Sequence, residues 1–423
     1  MHPYRILLAA GSNARGQMGI DSCDDAHSFT PCQFAGCEPN QLPDLTSTIV
    51  RIACGANHTV LLSEHSGSTT LWGTGDGRRG QLGPEYLCAE PDSTPWKIFH
   101  KLVLPLPAVY RGYAYKHIAA AWETTYVVLS HPGGSDALLS MGSNEFGALG
   151  AGECADGGAP RIVDFGHVFP DDSDAHPRTI CVQSLHAGPR HVVAQLVATS
   201  SDELSPHSQT VLVGWGASRH GQLGQNGGAR FFSRPTRLPI NIHEDPMVSC
   251  GLGNQHTVVL HQSGRTSALG SNKQGQIPAF GLQKPIRGLG CTWNGTYMQM
   301  LDGDKHVLLS TGNNAQGQLG RSPTVGSASV DDVTIDLPGD RTISGLACGS
   351  EHVLVAIASA SRGGDSILGW GWNEHGNMGL GSLGNITTPT QLWPREDIET
   401  YNKYPQRVIG MWTGCATSWL LVE

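Results

Sequence analysis

The sequence predicts an all-β, seven-bladed β-propeller in which residues 1–423 form a single closed ring. Three observations carry that reading. Glycine supplies 55 of the 423 residues, about 13% against a usual ~7%, which calls for many tight turns. One glycine-rich motif occurs seven times. A second motif, built like a strand pair, alternates with it and also occurs seven times.

The first motif runs small-Gly-Ser-Asn-x-x-Gly-Gln-Leu-Gly. Its copies are "AGSNARGQMG" from Ala10, "TGDGRRGQLG" from Thr74, "MGSNEFGALG" from Met141, "WGASRHGQLG" from Trp215, "LGSNKQGQIP" from Leu269, "TGNNAQGQLG" from Thr311 and "WGWNEHGNMG" from Trp370. Each follows a short apolar stretch of strand length. These second halves of the blades therefore lie near 6–19, 71–83, 138–150, 211–224, 266–278, 306–320 and 367–379. No amphipathic helix follows any copy, so the glycines serve turns rather than a dinucleotide-binding loop.

The second motif is clearest in "IACGANHTVLL" (Ile52 to Leu62) and "LACGSEHVLVA" (Leu346 to Ala356), with degenerate copies such as "IAAAWETTYVVL" and "LGCTWNGTYMQML". An apolar approach, a Gly-containing turn and an alternating apolar run fit two consecutive strands. The chain opens with the first motif and ends with the second. Closure therefore requires the terminal strands at 408–422 to join the strand Ile6 to Ala10, which leaves no free edge at the seam. Equivalent glycines are 42 residues apart at the shortest (Gly275 to Gly317) and 74 at the longest (Gly147 to Gly221). The extra length sits in polar insertions at 151–179 and 197–210.

Composition excludes several classes. A net charge of -9 argues against non-specific nucleic-acid binding, which needs a basic surface to displace counterions. No stretch reaches the ~18 apolar residues that span a bilayer. The N-terminal "MHPYRILLAAGSN" has only a brief apolar run, unlike a signal peptide. Eleven cysteines without tight pairing read as free thiols in a reducing compartment, and the expected location is the cytoplasm, or also the nucleus. Cys23, Cys32 and Cys37 share a loop but not a standard zinc spacing, and no cofactor is expected in this chain.

The "CGxxH" and "GSNxxGQLG" signatures resemble the regulator-of-chromosome-condensation repeat family over nearly the whole chain. The irregular segments "AAWETTYVVL", "CTWNGTYMQM", "CGSEHVLVAI", "LGWGWNEHGNMG" and "GCATSWLLV" are similar to a fungal branch of that family, the alpha-tubulin-suppressor or killer-toxin-insensitivity group. That resemblance implies a seven-bladed interaction propeller that is not an enzyme. It also implies a heterodimer with a small zinc-binding protein of the diphthamide pathway, which itself carries the metal. The pair would support Elongator-dependent modification of wobble uridine in tRNA and diphthamide formation on elongation factor two. The wider family implies an alternative, guanine-nucleotide exchange on a Ran-type GTPase.

Among chemical candidates, His58, His191, His256 and His352 hold one position in four copies of the second motif. Equivalent positions in different blades lie apart around a ring, so they cannot converge on one ion. A structural role bonding each blade's own backbone is expected. Cys54, Cys291 and Cys348, four residues earlier, read as small packed residues. No nucleophile elbow, zinc-protease helix or phosphate loop appears, and no catalytic residues are assigned.

The residues that break the repeat are more informative. Trp372 stands where six sister copies have Ser, Asp, Ala or Asn, whereas Trp370 has a counterpart in Trp215 and reads as blade core. Trp122 and Trp293 replace Ala56, Pro189, Asn254, Ser350 and Cys415 of the other blades. Either they fill gaps in the core or they anchor a partner, since tryptophan is enriched at binding hot spots. With Glu123, Glu351, Glu374 and His375 they form the expected partner-binding set.

Overall fold

The computed structural model describes residues 5–423 apart from 45–46, 89–93, 154–158, 170–177, 201–207, 225–227, 279–284, 304, 323–330, 334–340, 360–365, 396–400 and 402. Parts of both long insertions therefore lie outside the described residues. The chain forms seven antiparallel sheets, six with four strands and one with three among the described residues.

Blades are numbered here from the one that holds the chain ends. In blade 1 the order is Val408–Thr413, Thr417–Val422, Ile6–Gly11 and Ala26–Pro31. Ile6 pairs with Val422 and Gly11 with Thr417, so the first and last thirds of one sheet come from opposite ends of the chain. The first strands of blades 2 to 7 are Thr48–Cys54, Ala114–Ala121, Arg178–Ala187, Met247–Leu252, Ile286–Thr292 and Arg341–Cys348. Each touches the first strand of the next blade, and the last touches Val408–Thr413, so these seven strands line a central axis.

The apolar residues form seven clusters, one for each interface between neighbouring blades. Between blades 3 and 4, Tyr126, Val192 and Trp215 are fully buried together. Between blades 6 and 7, Tyr297, Val353 and Trp370 do the same. Full burial of such side chains stabilises by roughly 1.5–3 kcal/mol each, so the ring is held by many comparable contacts rather than one core. This arrangement lets 423 residues fold as one ring without a single oversized interior.

Hydrogen bonding explains why the first motif recurs. In five copies the Asn side chain accepts from the backbone N–H five residues on, as Asn13 does from Met18 (2.9 Å) and Asn373 from Met378 (2.9 Å). The Gln carbonyl oxygen accepts from the N–H two residues back, as Gln81 does from Arg79 (2.9 Å) and Gln318 from Gln316 (2.7 Å). These local bonds satisfy a turn that has no sheet partner of its own.

Candidate interaction face

In every blade the first and third strands run in the same direction, because successive strands are antiparallel. The turn after the first strand and the turn after the third therefore emerge on one face of the ring. Trp122, Glu123, Trp293 and Glu351 lie in first-strand turns of blades 3, 6 and 7. Trp372, Glu374 and His375 lie in the third-strand turn of blade 7. The whole expected set thus occupies a single face, a placement that spacing in the sequence does not give.

Trp122 and Trp293 belong to blades three steps apart, yet their rings meet with centroids 5.9 Å apart and planes inclined at 48°. Both are half-buried. They lean over the axis and roof one mouth of the central tunnel. Their backbones are fixed by bonds between neighbouring turns. Trp122 N–H donates to Pro189 O (2.9 Å), and Trp122 O accepts from Ala56 N–H (2.8 Å). On the other side a relay runs from Asn254 N–H to Trp293 O (2.8 Å), Trp293 N–H to Ser350 O (2.7 Å) and Ser350 N–H to Gly414 O (3.1 Å). Pro189 has no N–H to pass the relay on.

Glu351 sits beside this roof. Its carboxylate accepts from Asn294 Nδ2 (2.8 Å) and Gln318 Nε2 (3.1 Å), and burial pushes it up to about 7. Its backbone carbonyl accepts from Trp372 N–H (2.9 Å), and Asn377 Nδ2 holds the Trp372 carbonyl (2.8 Å). The half-buried Trp372 ring meets His375 edge-on at 5.3 Å. His375 Nδ1 lies 2.6 Å from Asp25 Oδ2 in blade 1. Trp293, Glu351, Trp372 and His375 therefore form a connected path across blades 6, 7 and 1. Glu374 is exposed, and Glu123 stands apart near Arg79 at 3.9 Å.

The same face carries cations that the sequence reading passed over. Arg15, Arg219 and Lys273 occupy the variable positions of third-strand turns, and Arg190 lies 5.1 Å over the Phe146 ring. Aligning those two variable positions across all seven copies reveals an arc of basic residues on blades 1, 2, 4 and 5.

Trp370 is core: it is fully buried, and its Nε1 donates to Gln318 O (2.9 Å). Trp215 makes the matching bond to Ala148 O (2.9 Å). The repeat histidines are buried, but their side chains do not bond their own blades as expected. His58 Nε2 meets Thr125 Oγ1 (2.9 Å), His191 meets Thr257 (2.9 Å), His256 meets Thr296 (3.1 Å) and His352 meets Ser418 Oγ (3.1 Å), each hydroxyl being on the next blade. The Thr257 and Thr296 hydroxyls donate to Gln222 O and Gln276 O, so in these pairs the imidazole Nε2–H is the donor. Only the histidine backbone closes locally, with Gly55 N–H donating to His58 O (2.9 Å). A side chain at Gly55 would overlap the His58 ring, which explains the glycine three residues before each histidine.

The Cys54, Cys291 and Cys348 sulfurs pack over Gly414, Gly251 and Gly290 of adjacent blades, and burial pushes the Cys291 thiol up to about 12. Cys32 is buried and its thiol lies 3.3 Å from Met18 O. Among the described residues, no group of three or more His, Cys, Asp or Glu side chains is arranged to hold a metal ion.

Residues 7–62 match the regulator of chromosome condensation (RCC1) repeat. Over 92% of this chain and 78% of its own length, the secretion-regulating guanine nucleotide exchange factor of Mus musculus is 25% identical. An RCC1 repeat-containing protein of Schizosaccharomyces pombe is 24% identical over 99% of both chains. Among solved structures, human WBSCR16 aligns over 100% of this chain and 99% of its own with a TM-score of 0.68 at 16% identity. Prp20p of Saccharomyces cerevisiae aligns over 99% and 92% with a TM-score of 0.69 at 17% identity. The expectation that this is not an enzyme is overturned by the first of these relatives, which is named for nucleotide exchange, a catalysed reaction. The chain thus folds as a seven-bladed propeller, is similar in fold to these solved structures, and carries a match to the RCC1 repeat at residues 7–62.

Proposed function

We propose that the protein catalyses guanine-nucleotide exchange on a Ran-type small GTPase, docking it on the face roofed by Trp122 and Trp293. The observation that carries this reading is the likeness, along 92% of the chain, to a relative named as a guanine nucleotide exchange factor. Exchange needs no covalent chemistry. A propeller that binds the nucleotide-free GTPase more tightly than the loaded one lowers nucleotide affinity by the same factor, because the coupling is reciprocal. Half-buried indoles flanked by a carboxylate and a cationic arc suit such docking, since aromatic anchors carry most interface energy. Release of a fluorescent guanine nucleotide from purified GTPase, with and without the propeller, tests it.

A second reading is favoured by the three tryptophans that break the repeat on one face. Here the same surface receives the small zinc-binding protein of the diphthamide pathway, and through it supports Elongator-dependent tRNA modification. The metal belongs to that partner, and the setting is the cytoplasm or also the nucleus. Co-purification from native extract, with metal analysis of the captured protein, separates the two. A cysteine-rich zinc protein supports the second reading, and a GTPase alone removes it.

A further inference from the structure

The third-strand turn of blade 3 departs from its sisters at Phe146. In five copies the residue at that position donates its backbone N–H to the Gln two residues on, as Arg15 does to Gln17 (2.9 Å) and His220 to Gln222 (3.0 Å). Blade 3 has Ala148 in place of that Gln, so the acceptor is missing. Phe146 alone among the seven copies takes a left-handed backbone, with φ 58° and ψ 25°. That conformation is costly for a bulky side chain and cheaper for asparagine. Burial does not offset the cost, because Phe146 is 38% exposed. Its ring instead faces the Arg190 guanidinium of blade 4, 5.1 Å from the centroid, while Arg190 also meets Glu145 at 3.6 Å.

A shallow groove runs from Trp122 at the axis past Pro189 and Arg190 to Phe146. Farther out, Ala217 N–H donates to Arg190 O (2.8 Å) and Ala217 pairs with Phe231. Phe231 begins the outermost strand of blade 4 and is 47% exposed. Trp122, Phe146 and Phe231 thus mark an aromatic track from axis to rim along the boundary of blades 3 and 4. Beside it, the segments of blades 4 and 5 on this face, 188–190, 218–230, 253–255 and 271–285, contain no Asp or Glu. Arg219, Arg230 and Lys273 in them are exposed. A sector of one sign on a chain of net charge -9 sets up a local field that steers an anionic partner to this side of the face.

We propose that this track is a docking site for an extended acidic peptide segment of a partner protein. Aromatic or aliphatic side chains of the segment seat along Trp122, Phe146 and Phe231, and its carboxylates turn to Arg219, Arg230 and Lys273. Exposed aromatics strung beside a few cations, on an acidic protein, favour a peptide over nucleic acid, which needs a denser basic surface. The site stands without the exchange reading.

The test is selection of a random peptide library, about twelve residues long, on the full-length protein, with binders of the Phe146→Asn, Arg219→Glu double variant removed. The expected result is enrichment of acidic peptides with at least one aromatic or aliphatic anchor. Their affinity should fall at least about tenfold in each single variant and weaken as salt is raised. Phe146→Asn should melt no lower than wild type, because asparagine accepts the left-handed turn. A lower melting temperature with unchanged peptide affinity would make the ring structural and overturn the proposal. Absence of enrichment overturns it too, as does enrichment of basic or uncharged peptides. So does oligouridine binding tighter than the selected peptides and weakened in Arg219→Glu, which would assign the sector to nucleic acid.

Discussion

Trp122 and Trp293 touch across the axis of the ring, 5.9 Å between ring centroids, although 171 residues and three blade positions separate them. Neither is needed to pack its own blade, since sister blades carry Ala, Pro, Asn, Ser or Cys there. Replacing either by alanine should therefore leave the melting temperature nearly unchanged. Affinity for the docked partner should fall by more than about tenfold, as for a hot-spot aromatic. Calorimetric binding and thermal unfolding of Trp122→Ala and Trp293→Ala check this together.

The histidine staples predict a pH dependence. Burial lowers His58, His256 and His352 to about 4 and His191 to about 3, below an ordinary 6.5. Under pH 6.5 the unfolded chain binds protons that the folded chain refuses, so stability is full above 6.5 and declines towards pH 4. Each histidine contributes a slope of up to about 1.4 kcal/mol per pH unit. Urea unfolding at pH 7, 6 and 5 should show the decline, and His191→Gln should make it shallower by about one proton. A flat profile would contradict the staple role.

Glu351 predicts the opposite sign. Its folded value is raised to about 7, so the folded state favours the protonated carboxyl. The stability this group contributes is present at low pH and lost as pH rises through about 7. Glu351→Gln should raise the melting temperature at pH 8 and change it little at pH 5.

Gly55→Ala should destabilise by about 2–3 kcal/mol, because the added methyl meets both the His58 ring and Ala121 O. Combining it with His58→Ala should recover only part of that loss, since the carbonyl contact remains. A double-mutant cycle from urea unfolding reads the coupling.

His375→Ala tests the blade 7 to blade 1 contact. The pair with Asp25 is about one-third exposed, so its loss should cost no more than ~1 kcal/mol of stability. Partner affinity should fall further than stability, because His375 also braces Trp372.

The fold was legible because its turns constrain residue types directly. Gly371 has φ +109 with the Glu351 carbonyl packed where a side chain would stand, and the same demand recurs in each blade. The unusual tryptophans were legible by comparing copies. What they meet was not, because contact between blades 3 and 6 depends on the diameter of the ring and not on spacing along the chain. The histidine bonds differ from expectation for a related reason: the partner hydroxyl lies on a strand about 40 to 67 residues away.

The most direct test of the account is fluorescent GDP release from a Ran-type GTPase in the presence of wild-type protein or the Trp122→Ala, Trp293→Ala double variant. The account predicts release accelerated at least about tenfold by wild type. It predicts most of that acceleration lost in the variant while its melting temperature stays within a few degrees. No acceleration by wild-type protein at saturating concentration, or equal acceleration by the variant, would contradict it.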